Sequence, residues 1–354
     1  MKTGRNLILL LLALHCAGSS LSAQELVAGA DFATRFDNRE YSGNAFSPSE
    51  TFFSARLTPE FGVQWDGRNR LMIAVDLWQD FGDGSKFLTD AKPQIYYTFS
   101  APRVTASAGI FPRTQLLGSY SEAFFSSDVV FYDNLISGVL ANYHSPRGYV
   151  EFALDWEGMR TTKTREKFRI LSAGEYRGAR LYGGYAFSML HYAKSANETP
   201  DEGVVDYFLV NPYAGVRFHA FFDFDLRLGY LQSVQRDRRI GQSWSPKGGE
   251  FLFSMSRWGL SLRNHLYLGQ NLMPMWGTYG STVYTGSPFY GTTKHVYNKT
   301  SIDYERLFFH DTLGIKAGFV FHYDGVGVGV QQLLTVSVKL EKLSLIHISE
   351  PTRR

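Results

Sequence analysis

Between residues 311 and 340 the chain holds two strands that each alternate apolar and polar side chains without a break, and few folds admit that period. Leu313, Ile315, Ala317, Phe319 and Phe321 fall on one face of a strand, with Thr312, Gly314, Lys316, Gly318 and His322 on the other. After a turn at Tyr323-Asp324-Gly325, Leu334, Val336, Val338 and Leu340 oppose Thr335, Ser337 and Lys339. Successive side chains of a strand point to opposite faces, so this pattern predicts a sheet with one apolar and one polar surface. A soluble sandwich would give the same signal. The order of the connections separates the two.

Read in sequence, the chain resolves into strands joined alternately by short and long connections. Minimal turns are expected at Asp66-Gly67-Arg68-Asn69, Ser100-Ala101-Pro102-Arg103, Ser145-Pro146-Arg147-Gly148, Tyr176-Arg177-Gly178, His219-Ala220, Arg257-Trp258-Gly259 and Phe309-His310-Asp311. Between them come the long connections 37–49, 80–91, 112–135, 157–165, 192–203, 236–248 and 269–293. Counting strands gives about 16, at about 20 residues for each strand with its connection. An even strand number with short turns at every second connection is the pattern of an all-β, transmembrane, antiparallel up-and-down β-barrel, short-turned on the periplasmic side and long-looped outside. No repeat of fixed period points to a propeller or solenoid.

The charged set decides which face is which. In 222–234, Phe222, Phe224, Leu226, Leu228 and Tyr230 oppose Asp223, Asp225, Arg227, Gly229 and Ser233. An Arg facing lipid at the midplane would cost about 2–4 kcal/mol, so the charged face is expected to line the lumen. Closure removes the sheet edges and leaves every backbone group a partner without water. Aromatic content of 16 % with a mean hydropathy of only −0.18 fits an apolar outer band around a wet interior. No stretch beyond the leader approaches the roughly 20 apolar residues of a membrane helix.

The two ends read differently from the body. Lys2 and Arg5, the apolar run Leu7 to Leu14 and small residues up to Ala23 have the order of a secretory signal peptide, expected to span 1–23. The lone Cys16 lies within it, so the mature chain has no cysteine for a disulfide or thiolate metal site. Residues 343–354 resemble the translation of a sequencing adapter, so the barrel is expected to occupy 24–342, with the native C-terminus missing.

Segments such as Gly109-Ile110-Phe111-Pro112-Arg113 and Phe131-Tyr132-Asp133-Asn134, with the leader and the strand rhythm, resemble the porin-like outer-membrane barrels of Bacteroidota-type bacteria. The resemblance implies a diffusion pore or a surface-exposed barrel in the outer membrane of a Gram-negative bacterium, and the leading expectation is a porin for passive diffusion of small hydrophilic solutes. Its expected partners are outer-membrane lipid and lipopolysaccharide, the barrel-assembly machinery and, for a porin of this size, two further copies in a homotrimer. A net charge of +3 gives no reason to expect nucleic acid.

About 16 strands enclose an aqueous channel. The expected pore-lining set carries both signs: Arg56, Arg169, Arg227, Arg263, Lys299 and Lys316 against Glu60, Asp76, Asp155, Asp225 and Asp303. Rings of one sign set ion selectivity, so the mixture predicts weak charge preference. Cross-strand pairing that stiffens the wall is the plainer reading of the same charges. The connection 112–135 holds more aromatics than a solvated loop would carry. It is expected either to fold inward, with Glu122, Asp128 and Asp133 at a constriction, or to pack on the rim.

A second aromatic connection, 269–293, offers Trp276, Tyr279, Tyr284 and Tyr290, and 236–248 offers Arg236, Arg238 and Arg239. Together they support an alternative, a surface barrel whose loops bind a glycan or protein partner. The arginines would meet lipopolysaccharide phosphates.

Enzyme chemistry has one candidate. His191 and Ser195 stand in His-Tyr-Ala-Lys-Ser-Ala-Asn, whereas outer-membrane phospholipases place the serine two residues after the histidine on one strand face. The nine histidines show no metal-ligand spacing, and no phosphate loop or dinucleotide fingerprint is present. The expectation is a chain that is not an enzyme, with no cofactor and no metal.

Overall fold

The computed structural model describes residues 24–41, 48–82, 84 and 86–344; the expected signal peptide and the segment from 345 onward lie outside the described residues. The strands are β1 (Glu25–Tyr41), β2 (Glu50–Trp65), β3 (Asn69–Asp80), β4 (Asp90–Ala101), β5 (Val104–Pro112), β6 (Leu135–Ser145), β7 (Gly148–Gly158), β8 (Lys167–Arg177) and β9 (Leu181–Tyr192). They continue as β10 (Val205–His219), β11 (Asp223–Asp237), β12 (Gln242–Trp244), β13 (Lys247–Arg257), β14 (Leu260–Gly269), β15 (Val296–Phe308), β16 (Leu313–Tyr323) and β17 (Val328–Ser344). Each pairs antiparallel with its neighbours, and β1 closes the ring on β17.

Seventeen segments make sixteen staves, because β12 and β13 share one. β12 pairs with the tip of β11 and β13 with the rest of it. The break falls at Pro246, which has no N–H to give the ladder; its carbonyl still accepts from the Ser233 amide at 2.9 Å.

The face assignment follows the charge argument. Leu228 is 66 % exposed on the outer wall, whereas its neighbour Arg227 is 7 % exposed inside. Phe61, Ile73, Ile95, Leu268 and Phe319 form part of the same apolar outer band. Among the described residues no helix is long and apolar enough to cross a membrane, and the crossing is made by strands.

Three boundaries depart from the sequence expectation. β1 runs on to Tyr41 instead of stopping near 36, because Arg35, Asp37 and Arg39 are buried on the inner face and pair with one another. The connection expected over 236–248 shrinks to Arg238–Gly241, since Arg236 and Asp237 still belong to β11 and β12 resumes at Gln242. The closing hairpin, by contrast, is tight as expected although it lies at the long-loop end: Asp324 caps it, its carboxylate accepting from the Val326 and Gly327 amides at 2.9 Å each. The β17 backbone extends to Ser344, just past the expected limit of the barrel.

The apolar core lies inside the barrel, in the half nearest the long loops. Phe111, Ile136, Leu171, Leu190, Leu209, Leu231, Tyr267 and Tyr297 reach inward from the strands there. They pack against Phe124, Phe125, Leu272, Met273, Met275, Val283, Tyr284, Phe289 and Tyr290 from two inserted connections. The half nearest the short turns stays hollow.

Candidate functional site

The first inserted connection, 113–134, crosses the lumen and is tied to the wall on several sides. Arg113 donates to Asp155 at 3.2 Å and to the carbonyls of Asp133 and Leu135. The amides of Leu117 and Gly118 and the Tyr120 hydroxyl all donate to the Glu151 carboxylate at 2.6, 2.9 and 3.0 Å. Gly118 is required there, because a Cβ at that position would lie 2.4 Å from Glu151 Oε1. A short helix, Ser127–Tyr132, is capped by the Ser126 hydroxyl and brings Asp128 to Arg35 and Arg39 at 3.2 and 2.5 Å.

The second inserted connection, 270–295, meets the first. Ser126 N donates to Thr285 O at 2.8 Å, Ser287 N to Glu122 O at 2.7 Å, and the Thr285 hydroxyl to Phe124 O at 2.7 Å. Gly286 sits so close to Ala123 that a Cβ would lie 2.1 Å from its carbonyl oxygen. Lys299 donates to Glu122 from the facing wall. Burial pushes the Glu122 carboxyl up, but Lys299 outweighs it and holds the group below the ordinary 4.5.

A folded-state pKa held below the unfolded value stabilises the clasp above that value and loses it as pH falls through the lowered one. Protection of the 113–134 amides from hydrogen exchange is therefore expected to hold across neutral pH and to fall only below 4.5. Arg113→Ala should have a larger effect, since it leaves the Asp155 carboxylate buried and unpaired at a cost of about 3–5 kcal/mol. A drop in the temperature at which the folded band disappears on unheated gels would measure it.

The structure places the predicted pore residues inside, though not all on open water. Arg263 and Asp303 pair at 2.7 Å, Lys316 approaches Asp303 at 4.0 Å, Asp225 takes Arg217 at 2.9 Å, and Arg227 donates to Ser119 at 2.7 Å. Glu60 accepts from Tyr96, and Arg56 lies over the rings of Trp78 and Phe131. Asp133 extends into solvent 3.8 Å from Arg113.

Of the residues expected to line the pore, Asp76, Asp155, Arg169, Arg227 and Asp303 are buried, Asp155 beneath Arg113. Asp76 is 1 % exposed and accepts from Thr58, Gln94 and Asn134, so it brackets the first plug segment to the wall. Arg169 is 1 % exposed, bonded to Glu157 at 2.8 Å and capped by the Val283 carbonyl, because the second plug segment covers it.

The loop-binding set also divides. Tyr284 and Tyr290 are buried in the plug on Gln235 and on Glu250 with His265, so they do not face a partner outside. Trp276 is half-buried against Tyr284, and Tyr279 donates to Asp237 at 2.6 Å; burial and that carboxylate push the Tyr279 hydroxyl up to about 12. What remains open below the plug is a turn-side cavity of about 720 Å³, bounded by residues such as Gln64, Arg70, Thr98, Asn142 and Arg177. A second, of about 710 Å³, lies among Arg56, Glu122, Lys299 and Lys316.

A different constellation lies on the outer wall near the long-loop end. Outward positions Trp156, Phe168, His191, Asp206 and Arg236 form a row across five adjacent strands, in register through Phe168–His191, His191–Asp206 and Asp206–Arg236. Trp156 stacks on Phe168 with ring centroids 5.4 Å apart, and Phe168 lies 5.2 Å from the His191 ring. His191 Nδ1 is 2.8 Å from Asp206 Oδ1. The other Asp206 oxygen accepts twice from Arg238, at 3.0 and 2.7 Å. His191 Nε2 makes no hydrogen bond among the described residues, and the side chain is 26 % exposed.

An Asp on one imidazole nitrogen sets the tautomer and leaves the other nitrogen to act as a base. This pairing was hidden in the sequence because the partners are fifteen positions apart. Registering β9 against β10 across the connection 193–204 brings it out. Arg236, opposite Asp206 in the ladder, lies exposed beside it, and Arg239 is exposed in the connection that follows, whereas Arg238 is committed to Asp206.

A family model described as lipid A 3'-O-deacylase-type matches residues 19–321. The chain belongs to that family. This corrects the expectation of a non-enzyme, since the family is one of enzymes. No curated protein matches the chain.

Solved structures show the same barrel fold. Pseudomonas aeruginosa OpdO aligns over 90 % of this chain and 98 % of its own, at 9 % identity and a TM-score of 0.57. A loop L8 deletion mutant of OmpT, an outer membrane protein of Vibrio cholerae, covers 90 % and 100 % at 9 % identity and 0.54. Pseudomonas putida OprB covers 90 % and 94 % at 8 % identity and 0.52. The architecture of this deacylase-type chain is thus that of Gram-negative outer-membrane barrels with porin-like form.

Proposed function

We propose that this chain is an outer-membrane acyl-ester hydrolase that acts on lipid A, with its chemistry on the lipid-facing wall at the long-loop end. The observation that carries the reading is the His191–Asp206 pair, set on the outer wall with Nε2 unpartnered. An acyl ester in the outer leaflet would reach that nitrogen without leaving the bilayer. His191 Nε2 takes the proton of the attacking group, and Asp206 stabilises the imidazolium that forms. Arg238 holds the Asp206 carboxylate in place with two hydrogen bonds. The exposed Arg236 and Arg239 suit the phosphates of a lipopolysaccharide headgroup.

The test is release of fatty acid from purified lipid A in mixed micelles, read by mass spectrometry. Release by the folded wild-type protein, reduced in Asp206→Asn, is the expected result. A folded wild-type barrel that leaves lipid A intact would end the reading.

A second reading, passage of small hydrophilic solutes, draws on the hollow turn-side half and its mixed-charge cavities. Steady conductance of the whole chain in a planar bilayer, with little ion preference, would support it. The glycan-binding alternative loses its main support with Tyr284 and Tyr290 turned inward.

A further inference from the structure

We propose that the turn-side cavity is a binding site for a small hydroxylated anion, a sugar acid or a sugar phosphate, admitted from the side of the short turns. The site is separate from the outer-wall chemistry and needs no passage through the plug. Four consecutive short turns contribute to its mouth, and each carries arginine: Arg68, Arg103, Arg147, and the pair Arg177 and Arg180. All five are exposed, and Asp66 is the one acid in those turns. Like charges gathered at a cleft raise the local concentration of the opposite ion.

The charge continues inward. Arg68, Arg70 and Arg177 line the cavity, and no carboxylate is among the residues that bound it. Carboxylates on the bordering strands are engaged: Glu60 accepts from the Tyr96 hydroxyl at 3.3 Å, and Glu151 is taken by the first inserted segment. Glu175 accepts from Arg177 at 2.6 Å, so that guanidinium is partly neutralised. Arg70, half-buried, makes no ion pair among the described residues and gives its Nη2 to Gln64 Oε1 at 2.6 Å. A planar guanidinium in that position suits a carboxylate or phosphate.

Two polar atoms of this lining are buried without a partner, and they are opposite in kind. Arg70 Nε lacks an acceptor, and Asn142 Oδ1 lacks a donor. Asn142 is 4 % exposed, and its orientation is fixed because Nδ2 donates to Gln115 O at 3.2 Å. A ligand that carries both an anionic oxygen and a hydroxyl supplies what each atom lacks. Thr98, Ser100 and Thr105 add hydroxyls along the same wall. Thr114, Gln115 and Leu117 of the first inserted segment form the inner end, so a molecule entering from the turns stops against the plug. A volume of about 720 Å³ is ample for one such molecule.

Isothermal titration calorimetry of the full folded chain in detergent, at low ionic strength, is the test. Glucuronate and glucose 6-phosphate are the probes, with glucose and inorganic phosphate as controls. Saturable binding of at least one probe, tighter than either control, is the expected result; the tighter probe identifies the anionic group that the guanidinium takes. Arg70→Gln should weaken that probe by about 10–100-fold, the effect of losing a charge-assisted hydrogen bond. Arg103→Gln, on the rim, should stay within about threefold of wild type. In the wild type the bound probe should also shield Arg70 from phenylglyoxal, read by peptide mass spectrometry, which locates the site even if Arg70→Gln fails to fold. No saturable binding of either probe, a control bound as tightly, unchanged affinity in folded Arg70→Gln, or an Arg70 left unshielded at saturation would each overturn the site. None of these outcomes bears on lipid A hydrolysis.

Discussion

Replacing His191 with glutamine is expected to lower kcat for lipid A hydrolysis by about 10²–10⁴-fold, the usual contribution of a positioned general base. Glutamine can keep a hydrogen bond to Asp206 and fill much of the space beside Phe168, but it cannot accept the proton of the attacking group at neutral pH. The barrel should survive, since His191 is a partly exposed outer-wall residue and contributes nothing to the plug. KM should change little, because the ring acts on the reacting centre and not on the acyl chains. Asp206→Asn tests the same geometry from the other side. An asparagine that offers its N–H to Nδ1 favours the wrong tautomer, and a loss of up to about 10⁴-fold is expected for such a change. Fatty-acid release at saturating lipid A measures both variants. Undiminished kcat in a folded His191→Gln would place the chemistry elsewhere on the barrel.

The second large effect is expected in the lumen. Replacing residues 273–289 with a short Gly/Ser linker should open a steady, ohmic conductance in planar bilayers, well above that of the whole chain. The sixteen staves already enclose a channel-sized lumen, and the inserted connections occupy its outer half. Excision removes Met273, Met275, Val283, Tyr284 and Phe289 from that plug. It also deprives the first inserted segment of its bonds to Thr285 and Ser287. The strand ladders make no use of the excised residues, so a heat-modifiable folded barrel should still form. Conductance unchanged from the whole chain, in a folded deletion, would mean that the segment 113–134 closes the lumen by itself. Lipid A hydrolysis should be little affected, because the dyad lies on the other side of the wall.

The barrel was legible because lipid imposes a rule on each strand separately. Leu228 and Arg227 are neighbours whose faces follow from period 2 and from the cost of a charge in hydrocarbon, with no knowledge of the partner strand. Turn chemistry was equally local, as at Asp66-Gly67 and Trp258-Gly259, where positive φ marks the tight connections. Contacts that depend on two distant segments were not legible. Asp37 and Arg39 read as a polar connection until the bonds to Gln331 and Asp128 showed why the strand continues. Arg169 read as a lumen charge, and only the overlying Val283 removes it from water.

The sequence alone determined the closed antiparallel barrel, its number of staves and which face meets lipid, since alternation and hydrophobicity act residue by residue along each strand. Tertiary structure alone decided what fills the lumen and where a base can work. Two connections far apart in the chain meet at Ala123 and Gly286 to plug one half. The pairing of β9 with β10 places His191 against Asp206 on the outer wall. Such encounters depend on register and loop closure across the whole ring, which local periodicity does not encode.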